Sequence, residues 1–464
     1  MQNYETSTIA AISTPHGKGG IAVIRVSGKD ALEISEKVFF TLSGKLSEVG
    51  ANKAVYGHIY YNGEKIDDGV ATVFRAPKSF TGEDTVEISC HGSEIGASMV
   101  LSALLENGAV PAEAGEFTKR AFLSGKISLS SAEAIGELID AESAASARLS
   151  AAKLGGVLGE KINSIAEKIT NILTSVYAYI DYPDEDIADM SQTQMRDACA
   201  QVLSEVTALS STYDAGRAIS KGIPSAIIGA PNVGKSSFLN LLIGCDRAIV
   251  TDIAGTTRDV ITESVNVGNI RLLLSDTAGI HDTSDTVEKI GVERSIKELE
   301  SAELVFVLFD SSRDILDDDI EIIKKLSGLS AQKKIIAVLN KSDMGGFEDS
   351  YRTALAGTDA KYVIDFCAKN GEGRERLSEI LLEIYPGGDE KIRSGLIVTG
   401  ARQYASLKSA GKSVSMALTA LDTLTPDMCC AELESAVKAL LEIDGRSVNE
   451  KIVEGIFSRF CVGK

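Results

Sequence analysis

The stretch IPSAIIGAPNVGKSSFLNLLIG, residues 223–244, decides the fold of the middle of this chain. A short apolar run of β type leads into a glycine-containing loop, and apolar residues at helical spacing follow the loop. The loop from Gly229 to Ser236 matches the pattern G-x-x-x-x-G-K-[ST] at every fixed position. Because the strand, loop and helix also come in the order that a P-loop requires, a plain glycine turn before a helix is the weaker interpretation.

A P-loop predicts a phosphate-binding site with definite roles for its side chains. Its glycines allow backbone N–H groups to curl around phosphates, and the start of the following helix adds a favourable dipole. We expect Lys235 to reach the β- and γ-phosphates and to act in catalysis, and the Ser236 hydroxyl to ligate Mg²⁺. The predicted contacts are Asn232, Val233, Gly234, Lys235, Ser236 and Ser237.

A second motif, DTAG, follows the apolar run NIRLLLS. Alone it would be any turn at the end of a strand, but behind a P-loop it is typical of a switch element. Its aspartate is expected to hold Mg²⁺ through water, and the amide of its glycine to face the γ-phosphate. The residues are Asp276, Thr277, Ala278 and Gly279.

A third motif, NKSD, ends the apolar run KKIIAVL and predicts which base is bound. The Asp343 carboxylate can accept two hydrogen bonds, from N1–H and the 2-amino group of guanine, a donor pair that adenine lacks. Lys341 is expected to lie along the base, with Asn340 in the same motif. Ala368-Lys369, after YVIDFC, is the expected second base contact. The three motifs together predict a protein that binds and hydrolyses GTP.

The segment between the P-loop and DTAG is expected to form a switch loop, in which Thr257 meets Mg²⁺. Arg258 is either an arginine finger supplied in cis or a solvated or salt-bridged arginine. The predicted contacts are Thr251, Asp252, Ile253, Ala254, Gly255, Thr256 and Thr257.

Ile280 stands where many GTPases place a glutamine that orients water. An apolar side chain cannot do this, so the water must be held by another group. The candidates are the downstream carboxylates of Asp282, Asp285 and Glu288. Asn232 is a second clue to the mechanism, because its amide oxygen could coordinate a monovalent cation. Such an ion would supply positive charge in place of an arginine finger.

The distribution of strand-type and helix-type segments along the chain predicts a multi-domain protein. Residues 1–125 carry short β-type runs and one helical stretch, which indicates an α+β domain. Residues 126–219 and 385–464 are of helical type, and residues 220–384 alternate strands with helices, as in an α/β P-loop domain. We therefore expect one helical domain built from two chain segments, with the α/β domain inserted between them.

Composition narrows the function classes. The chain of 464 residues has 47 basic and 66 acidic residues, a formal charge of −19, which argues against broad nonspecific nucleic-acid binding. Seven cysteines without a CxxC motif indicate reduced thiols in a cytosolic protein. No signal peptide is evident at the N-terminus, and no apolar stretch approaches the roughly 20 residues that span a bilayer. We expect a cytoplasmic protein without a membrane partner.

The motifs resemble those of the MnmE (TrmE) family of tRNA-modification GTPases over the whole chain. The resemblance is carried by APNVGKSS, DIAGTTRD, DTAGI and NKSD in the middle, by AGEFTKRAFLSGK in the first part and by FCVGK at the end. It implies a homodimer that works with a flavin-binding MnmG-type subunit, as a heterotetramer, on the wobble uridine of tRNA. It also implies that an aminomethyl-type group is added at C5, with carbon from a tetrahydrofolate derivative, and that GTP hydrolysis depends on K⁺.

The resemblance also assigns roles to residues. K⁺ would be held by Asn232, Thr251, Ile253 and Thr256, and Mg²⁺ by Ser236 and Thr257. Glu288 matches the glutamate that orients water, which fits the presence of Ile280. The implied folate contacts are Arg25, Glu87, Lys126 and Lys464, for the first three of which an ordinary surface charge is the alternative. Cys461, in the terminal motif, is either a reactive thiol near folate or an inert cysteine.

One function from another class competes with this interpretation. A regulatory GTP switch in ribosome assembly would use the same nucleotide motifs, with the flanking domains as interaction modules. Such proteins typically carry an RNA-binding domain with a basic face, whereas this chain has a net charge of −19 and no basic tail.

Overall fold

The computed structural model describes residues 7–181, 190–245, 262–275, 302–326, 333–423 and 429–463. The described residues fall into two compact units. The first lies within Met1–Gly136 and Leu441–Lys464, and the second within Glu137–Leu440. Within the described ranges, no helix is both long and apolar enough to cross a membrane.

The first unit contains a seven-stranded sheet. Its strands are β1 (Ile9–Ile12), β2 (Ile21–Ser27), β3 (Phe39–Thr41), β4 (Lys53–Tyr61), β5 (Glu64–Phe74), β6 (Thr85–His91) and β7 (Val110–Pro111). The strand order is β3-β4-β5-β6-β2-β1-β7. The pair β1–β7 is parallel, and the other neighbours are antiparallel.

The alternation of side chains along β2 separates the two faces of this sheet. Ile24 and Val26 are buried in the main core of the unit, whereas Arg25 lies on the other face. The core face is covered by two helices, α1 (Ala31–Glu36) and α2 (Glu94–Glu106), whose apolar residues belong to the same cluster. A short 3₁₀ turn, Leu46–Glu48, adds Leu46 to it. This arrangement is the α+β domain that the sequence predicts.

Helices dominate the next part of the chain, as its apolar spacing predicts. They are α3 (Glu116–Leu123), α4 (Leu129–Ile139), α5 (Ala144–Leu154), α6 (Val157–Asp181), α7 (Gln192–Ser210) and α8 (Tyr213–Ser220). Ser143 and Ser191 cap α5 and α7, each accepting a hydrogen bond from a backbone N–H in the first turn.

The second unit contains a six-stranded sheet flanked by helices. Its elements are β8 (Ile223–Gly229), α9 (Lys235–Cys245), β9 (Thr262–Val267), β10 (Ile270–Ser275), β11 (Leu304–Asp310), α10 (Asp317–Leu326), β12 (Lys334–Asn340), α11 (Glu348–Leu355), β13 (Tyr362–Phe366) and α12 (Arg374–Ile384). The strand order is β13-β12-β11-β8-β10-β9, and only β9 runs antiparallel to its neighbour. All seven residues of β11 are buried, as expected of a central parallel strand covered on both faces.

Four further helices complete the described chain: α13 (Asp389–Ser394), α14 (Ala401–Thr423), α15 (Cys430–Asp444) and α16 (Glu450–Phe457). Helices from both sides of the α/β part pack together, since α14 contacts α7. The stacked rings of Tyr213 and Tyr404, whose centroids are 4.3 Å apart, join α8 to α14. The predicted domain boundaries themselves stay a prediction.

Residues 441–463 return to the first unit. Val453 and Phe457 of α16 are buried in one cluster with Leu129 and Ala132 of α4. Farther along, the Ser13 hydroxyl donates a hydrogen bond to the carbonyl of Gly463 at 2.9 Å. The first unit is therefore built from two chain segments that are distant in sequence.

Candidate functional site

The strands β8, β12 and β13, each followed by a predicted nucleotide contact, end with β11 at one edge of the six-stranded sheet. Gly229, the last residue of β8, is in register with Leu308 of β11, and Asp310 is in register with Asn340 of β12. Asn340 is in turn in register with Phe366 of β13. The P-loop, the NKSD motif and the Ala368-Lys369 segment thus follow parallel strands of one sheet at their carboxyl ends. This edge is where open α/β sheets bind ligands.

The P-loop has the tight backbone that its pattern predicts. Gly234 has φ +98°, a conformation that L side chains rarely adopt, and a Cβ atom there would lie 2.2 Å from Asn340 Nδ2. At Gly229 a Cβ atom would lie 2.5 Å from the carbonyl oxygen of Leu308. Asn232 takes a left-handed φ of +62° without being glycine, and its side chain is exposed. Val233, next to it, is fully buried and anchors the loop.

Lys235 starts α9 and turns its ammonium back over the loop. Nζ donates hydrogen bonds to the carbonyl oxygens of Gly229 at 2.8 Å and Ala230 at 2.9 Å. Burial lowers the pKa of Lys235 below its ordinary value, because the charged form is disfavoured away from water. Ser236 is half-buried in the first turn of the helix, and Ser237 beside it is exposed. Phe238 fixes the helix to the sheet through ring contacts at 5.6 Å and 5.0 Å with Phe306 and Phe366.

Asn340 joins the three loops of this edge. Its side-chain Nδ2 donates to the carbonyl oxygen of Val233 in the P-loop at 2.8 Å, and its Oδ1 accepts from the backbone N–H of Ala368 at 3.0 Å. The residue is 2% exposed. One buried amide therefore sets the P-loop against both segments that were predicted to read the base.

The loop after Asn340 presents the two side chains predicted to contact guanine. Lys341 has a left-handed φ of +64°, and Asp343 is exposed. On the neighbouring segment Ala368 is buried and Lys369 is exposed. Cys367, where many GTPases have serine, is buried, and its backbone carbonyl accepts from Gly371 N–H at 2.9 Å.

Asp310 is a residue of this edge that sequence reasoning missed. Its Oδ2 accepts a hydrogen bond from Lys341 Nζ at 2.6 Å. Although burial acts to raise the pKa of Asp310, the hydrogen bonds from Lys341 and Ser312 are sufficient to hold the pKa below its ordinary value. The available signal was an aspartate that closes the apolar run AELVFVLFD, in the same place relative to its strand as the motifs that were recognised.

Several predicted residues lie outside the described part of the chain. They comprise the switch loop, the DTAG motif, the proposed water-orienting carboxylate and the terminal lysine: Thr251, Asp252, Ile253, Ala254, Gly255, Thr256, Thr257, Asp276, Thr277, Ala278, Gly279, Glu288 and Lys464.

In the first unit, two of the predicted folate contacts meet on the sheet. Arg25 of β2 and Glu87 of β6 are direct cross-strand partners. The guanidinium Nε and Nη2 atoms both lie 2.8 Å from Glu87 Oε1. The guanidinium carbon also lies 5.7 Å from the ring centre of Phe80 and 5.5 Å from that of Phe117. Both charged side chains keep some exposure, 18% for Arg25 and 26% for Glu87.

Two other segments of the first unit contact parts of the chain that adjoin this pair. The exposed Lys126 donates from Nζ to the carbonyl oxygen of Pro77 at 2.8 Å, three residues before Phe80. The segment 461–463 pairs with the chain before α3, through a bridge between Ala114 and Val462. Gly463 packs on the carbonyl of Ile12, in the strand beside Arg25. Cys461 is exposed.

The described residues contain no group of three or more His, Cys, Asp or Glu side chains that could hold a metal ion. Cys90 is buried, and burial raises the pKa of its thiol to about 11. His91 instead pairs with Asp67, Nδ1 to Oδ1 at 2.6 Å, and the hydrogen bond raises the pKa of the imidazole.

The fold and the site together define a P-loop GTPase-like protein, with the NKSD motif at the same sheet edge as the P-loop. The family model "GTP-binding protein TrmE N-terminus" matches residues 8–126, and the model "MnmE helical domain" matches residues 129–461. The chain belongs to the MnmE (TrmE) family.

Individual relatives agree with the family models over the full chain. The "tRNA modification GTPase MnmE" of Clostridioides difficile (strain 630) is 40% identical over 98% of this chain and 99% of its own length. The protein of the same name from Ligilactobacillus salivarius (strain UCC118) is 42% identical over 100% and 99%. Among solved structures, Era in complex with MgGDPNP and 16S ribosomal RNA nucleotides aligns with 41% of this chain and 65% of its own, at 27% identity and a TM-score of 0.28.

Proposed function

We propose that this chain is a GTPase that acts in tRNA modification, at C5 of the wobble uridine. The observation that carries the proposal is the buried Asn340 amide, which joins the P-loop to the two base-reading segments at one sheet edge. Full-length relatives at about 40% identity carry the name "tRNA modification GTPase MnmE", and this supports tRNA as the molecule on which the chain acts.

Selection of guanine is proposed for Asp343 and Lys341. A carboxylate can accept both hydrogens of the N1–H and 2-amino pair, and with adenine that acceptor would stay unpaired. Asp343 is exposed at the loop tip, so it is accessible to a base. The stem of Lys341 is proposed to lie along the ring, and the Ala368 backbone to make the second contact.

For hydrolysis we propose that Lys235 and the P-loop N–H groups bind the β- and γ-phosphates. Lys235 already bonds two loop carbonyls, so its ammonium lies over the concave side of the loop. Ser236, in the first turn of α9, would hold Mg²⁺ with Thr257, and the ion supplies charge neutralisation between the phosphates. Asn232 would hold K⁺ with Thr251, Ile253 and Thr256. Glu288 would orient the water, since Ile280 cannot.

We propose a tetrahydrofolate derivative as the carbon donor, bound in the first unit. Glu87 is a partly exposed carboxylate, which suits an N–H and amino pair such as that of a pterin ring. Arg25 holds Glu87 and stands between two phenyl rings, so it can fix the carboxylate without a large movement. Lys126 and Lys464 would contact the anionic part of the ligand.

The proposed assembly is a homodimer that joins a flavin-binding MnmG-type subunit in a heterotetramer and acts on tRNA in the cytoplasm. Its support is the family membership. The expected product is an aminomethyl-type group on the uridine base.

Two measurements test the proposal, one on the full-length protein and one on the tRNA of a deletion strain. GTP turnover in KCl should exceed turnover in NaCl, and equal rates would remove the potassium site from the mechanism. Mass analysis of wobble nucleosides from a deletion strain should show loss of the C5 modification, restored by the wild-type gene. Unchanged nucleosides would instead support the alternative, a GTP switch in ribosome assembly.

A further inference from the structure

A network of charged side chains adjoins the NKSD loop, and Lys341 is its one member among the predicted nucleotide contacts. At its centre is Asp310, whose side chain is 9% exposed. Oδ2 accepts from Lys341 Nζ at 2.6 Å, and Oδ1 accepts from the backbone N–H and the hydroxyl of Ser312 at 3.1 Å and 2.6 Å. Since both carboxylate oxygens are bonded, the carboxylate has one defined orientation.

A second basic side chain, Arg313, lies near the same Asp310 oxygen that accepts from Lys341. Arg313 Nε lies 3.8 Å from Asp310 Oδ2, and Arg313 Nη1 donates to Asp319 Oδ2 at 2.7 Å. Asp319 is fully buried in the first turn of α10, and the same oxygen accepts from the hydroxyl of Tyr351 in α11 at 3.0 Å. The network is thus fixed to two helices of the α/β part, and Lys341 is its outermost member.

The hydrogen bond to Asp310 restrains the side chain of Lys341, and this restraint affects how the lysine can bind a base. Its backbone is in the left-handed region, φ +64°, and its side chain is 34% exposed. A lysine with a free ammonium loses rotamer freedom when its stem is held against a base. When the ammonium is already bonded to a fixed carboxylate, less freedom remains to be lost, and the positive charge is neutralised.

We propose that Asp310 is a positioning residue for nucleotide binding, which holds the ammonium of Lys341 so that the lysine stem is presented to the base. The inference rests on the proposed function, in which Lys341 lies along guanine. Asp310 does not touch the nucleotide. It acts through Lys341, and Arg313 with Asp319 keeps it in place.

A double-mutant cycle tests this on the full-length protein. The dissociation constant of a fluorescent GDP analogue is measured for wild type, Asp310→Asn, Lys341→Ala and the double variant. Asp310→Asn should weaken binding about tenfold, because the lysine then has to give up its rotamer freedom when the nucleotide binds. In the Lys341→Ala background the same change should have no further effect, because Asp310 then has no lysine to position.

The matched control is Asp365→Asn. Asp365 belongs to β13 of the same sheet and pairs with Arg352 at 2.7 Å on the exposed surface, so its substitution should leave GDP affinity unchanged. Additive losses in the cycle would overturn the proposal, because a structural role of Asp310 does not need Lys341. If Asp310→Asn does not fold, as judged by its thermal unfolding, the cycle is run with Asp310→Glu, which keeps the charge and shifts the carboxylate.

The result separates this inference from the function on which it rests. If wild type fails to bind the GDP analogue, or if Asp343→Asn binds as wild type does, the guanine site itself is wrong. If wild type binds, Asp343→Asn weakens binding and Asp310→Asn does not, the guanine site stands and the role of Asp310 is refuted.

Discussion

Substitution of Gly234 by alanine examines the geometry on which the nucleotide site depends. Gly234 has φ +98°, and an added Cβ atom would lie 2.2 Å from Asn340 Nδ2. Alanine is the smallest residue with a Cβ atom, and even this atom has no room. Either the P-loop backbone or the Asn340 amide must therefore move. Because that amide holds the P-loop and the base-reading segments together, one methyl group should disturb all three.

The expected loss of nucleotide affinity follows from two separate free-energy costs. An L-residue in a left-handed conformation costs about 1–2 kcal/mol. Displacing the Asn340 amide leaves the carbonyl of Val233 without its hydrogen bond in a buried place, which costs about 1–3 kcal/mol. The competent loop should therefore be destabilised by about 2–5 kcal/mol, and even the lower value weakens nucleotide binding about thirtyfold.

The assay is equilibrium titration of a fluorescent GDP analogue into full-length Gly234→Ala, with hydrogen exchange of the peptides that cover 334–341 and 366–368. The matched control is Gly244→Ala, the same chemical change in α9. Among the residues that the structure describes, none has an atom within 4 Å of a Cβ atom at Gly244, so the control should keep its affinity and gain at most about 0.5–1 kcal/mol of helix stability. Wild-type affinity and unchanged exchange in Gly234→Ala would refute the role given to Asn340.

Three further predictions concern other parts of the two units. Asp343→Asn should shift preference away from GTP, because one guanine acceptor becomes a donor, and competition between GTP and ATP measures it; an unchanged ratio refutes base reading. Maleimide at pH 8 should label the exposed Cys461 quickly and the buried Cys90 slowly, since the pKa of Cys90 is about 11; equal labelling by peptide mapping contradicts this burial. Arg25→Met should reduce binding of a tetrahydrofolate derivative by calorimetry while GTP turnover stays the same, and unchanged folate binding removes Arg25 from that site.

Local sequence patterns were enough to predict the α/β part and its nucleotide motifs. The strands LVFVLFD and KIIAVLN are buried almost throughout, and IPSAIIG is buried or half-buried along its length, so each is a mostly apolar run. IPSAIIG leads into the P-loop and KIIAVLN into NKSD, and both motifs are recognisable by their residues. Since parallel strands place their carboxyl ends at one edge, the proximity of the P-loop to NKSD follows from the motif positions alone.

Contacts between distant segments were not predictable in the same way. Arg25 and Glu87 face each other because β2 pairs with β6, strands that are far apart in the chain, and no local pattern encodes that register. Asp310 was missed because a single aspartate at the end of a strand carries no motif, and its role depends on Lys341, which lies on another segment. The short strands β1, β3 and β7 lack the length that makes periodicity visible.

The return of residues 441–463 to the first unit has a consequence for biosynthesis. The helix pair α4 and α16 shares a buried cluster, and Gly463 receives a hydrogen bond from Ser13. The ribosome must synthesise all of residues 137–440 before the segment that completes these contacts emerges. The first unit to begin synthesis is thus the last to be finished, while the second unit already has its whole sequence and can fold ahead of it. During that interval Leu129 and Ala132 lack Val453 and Phe457, the apolar partners that share their buried cluster in the finished chain.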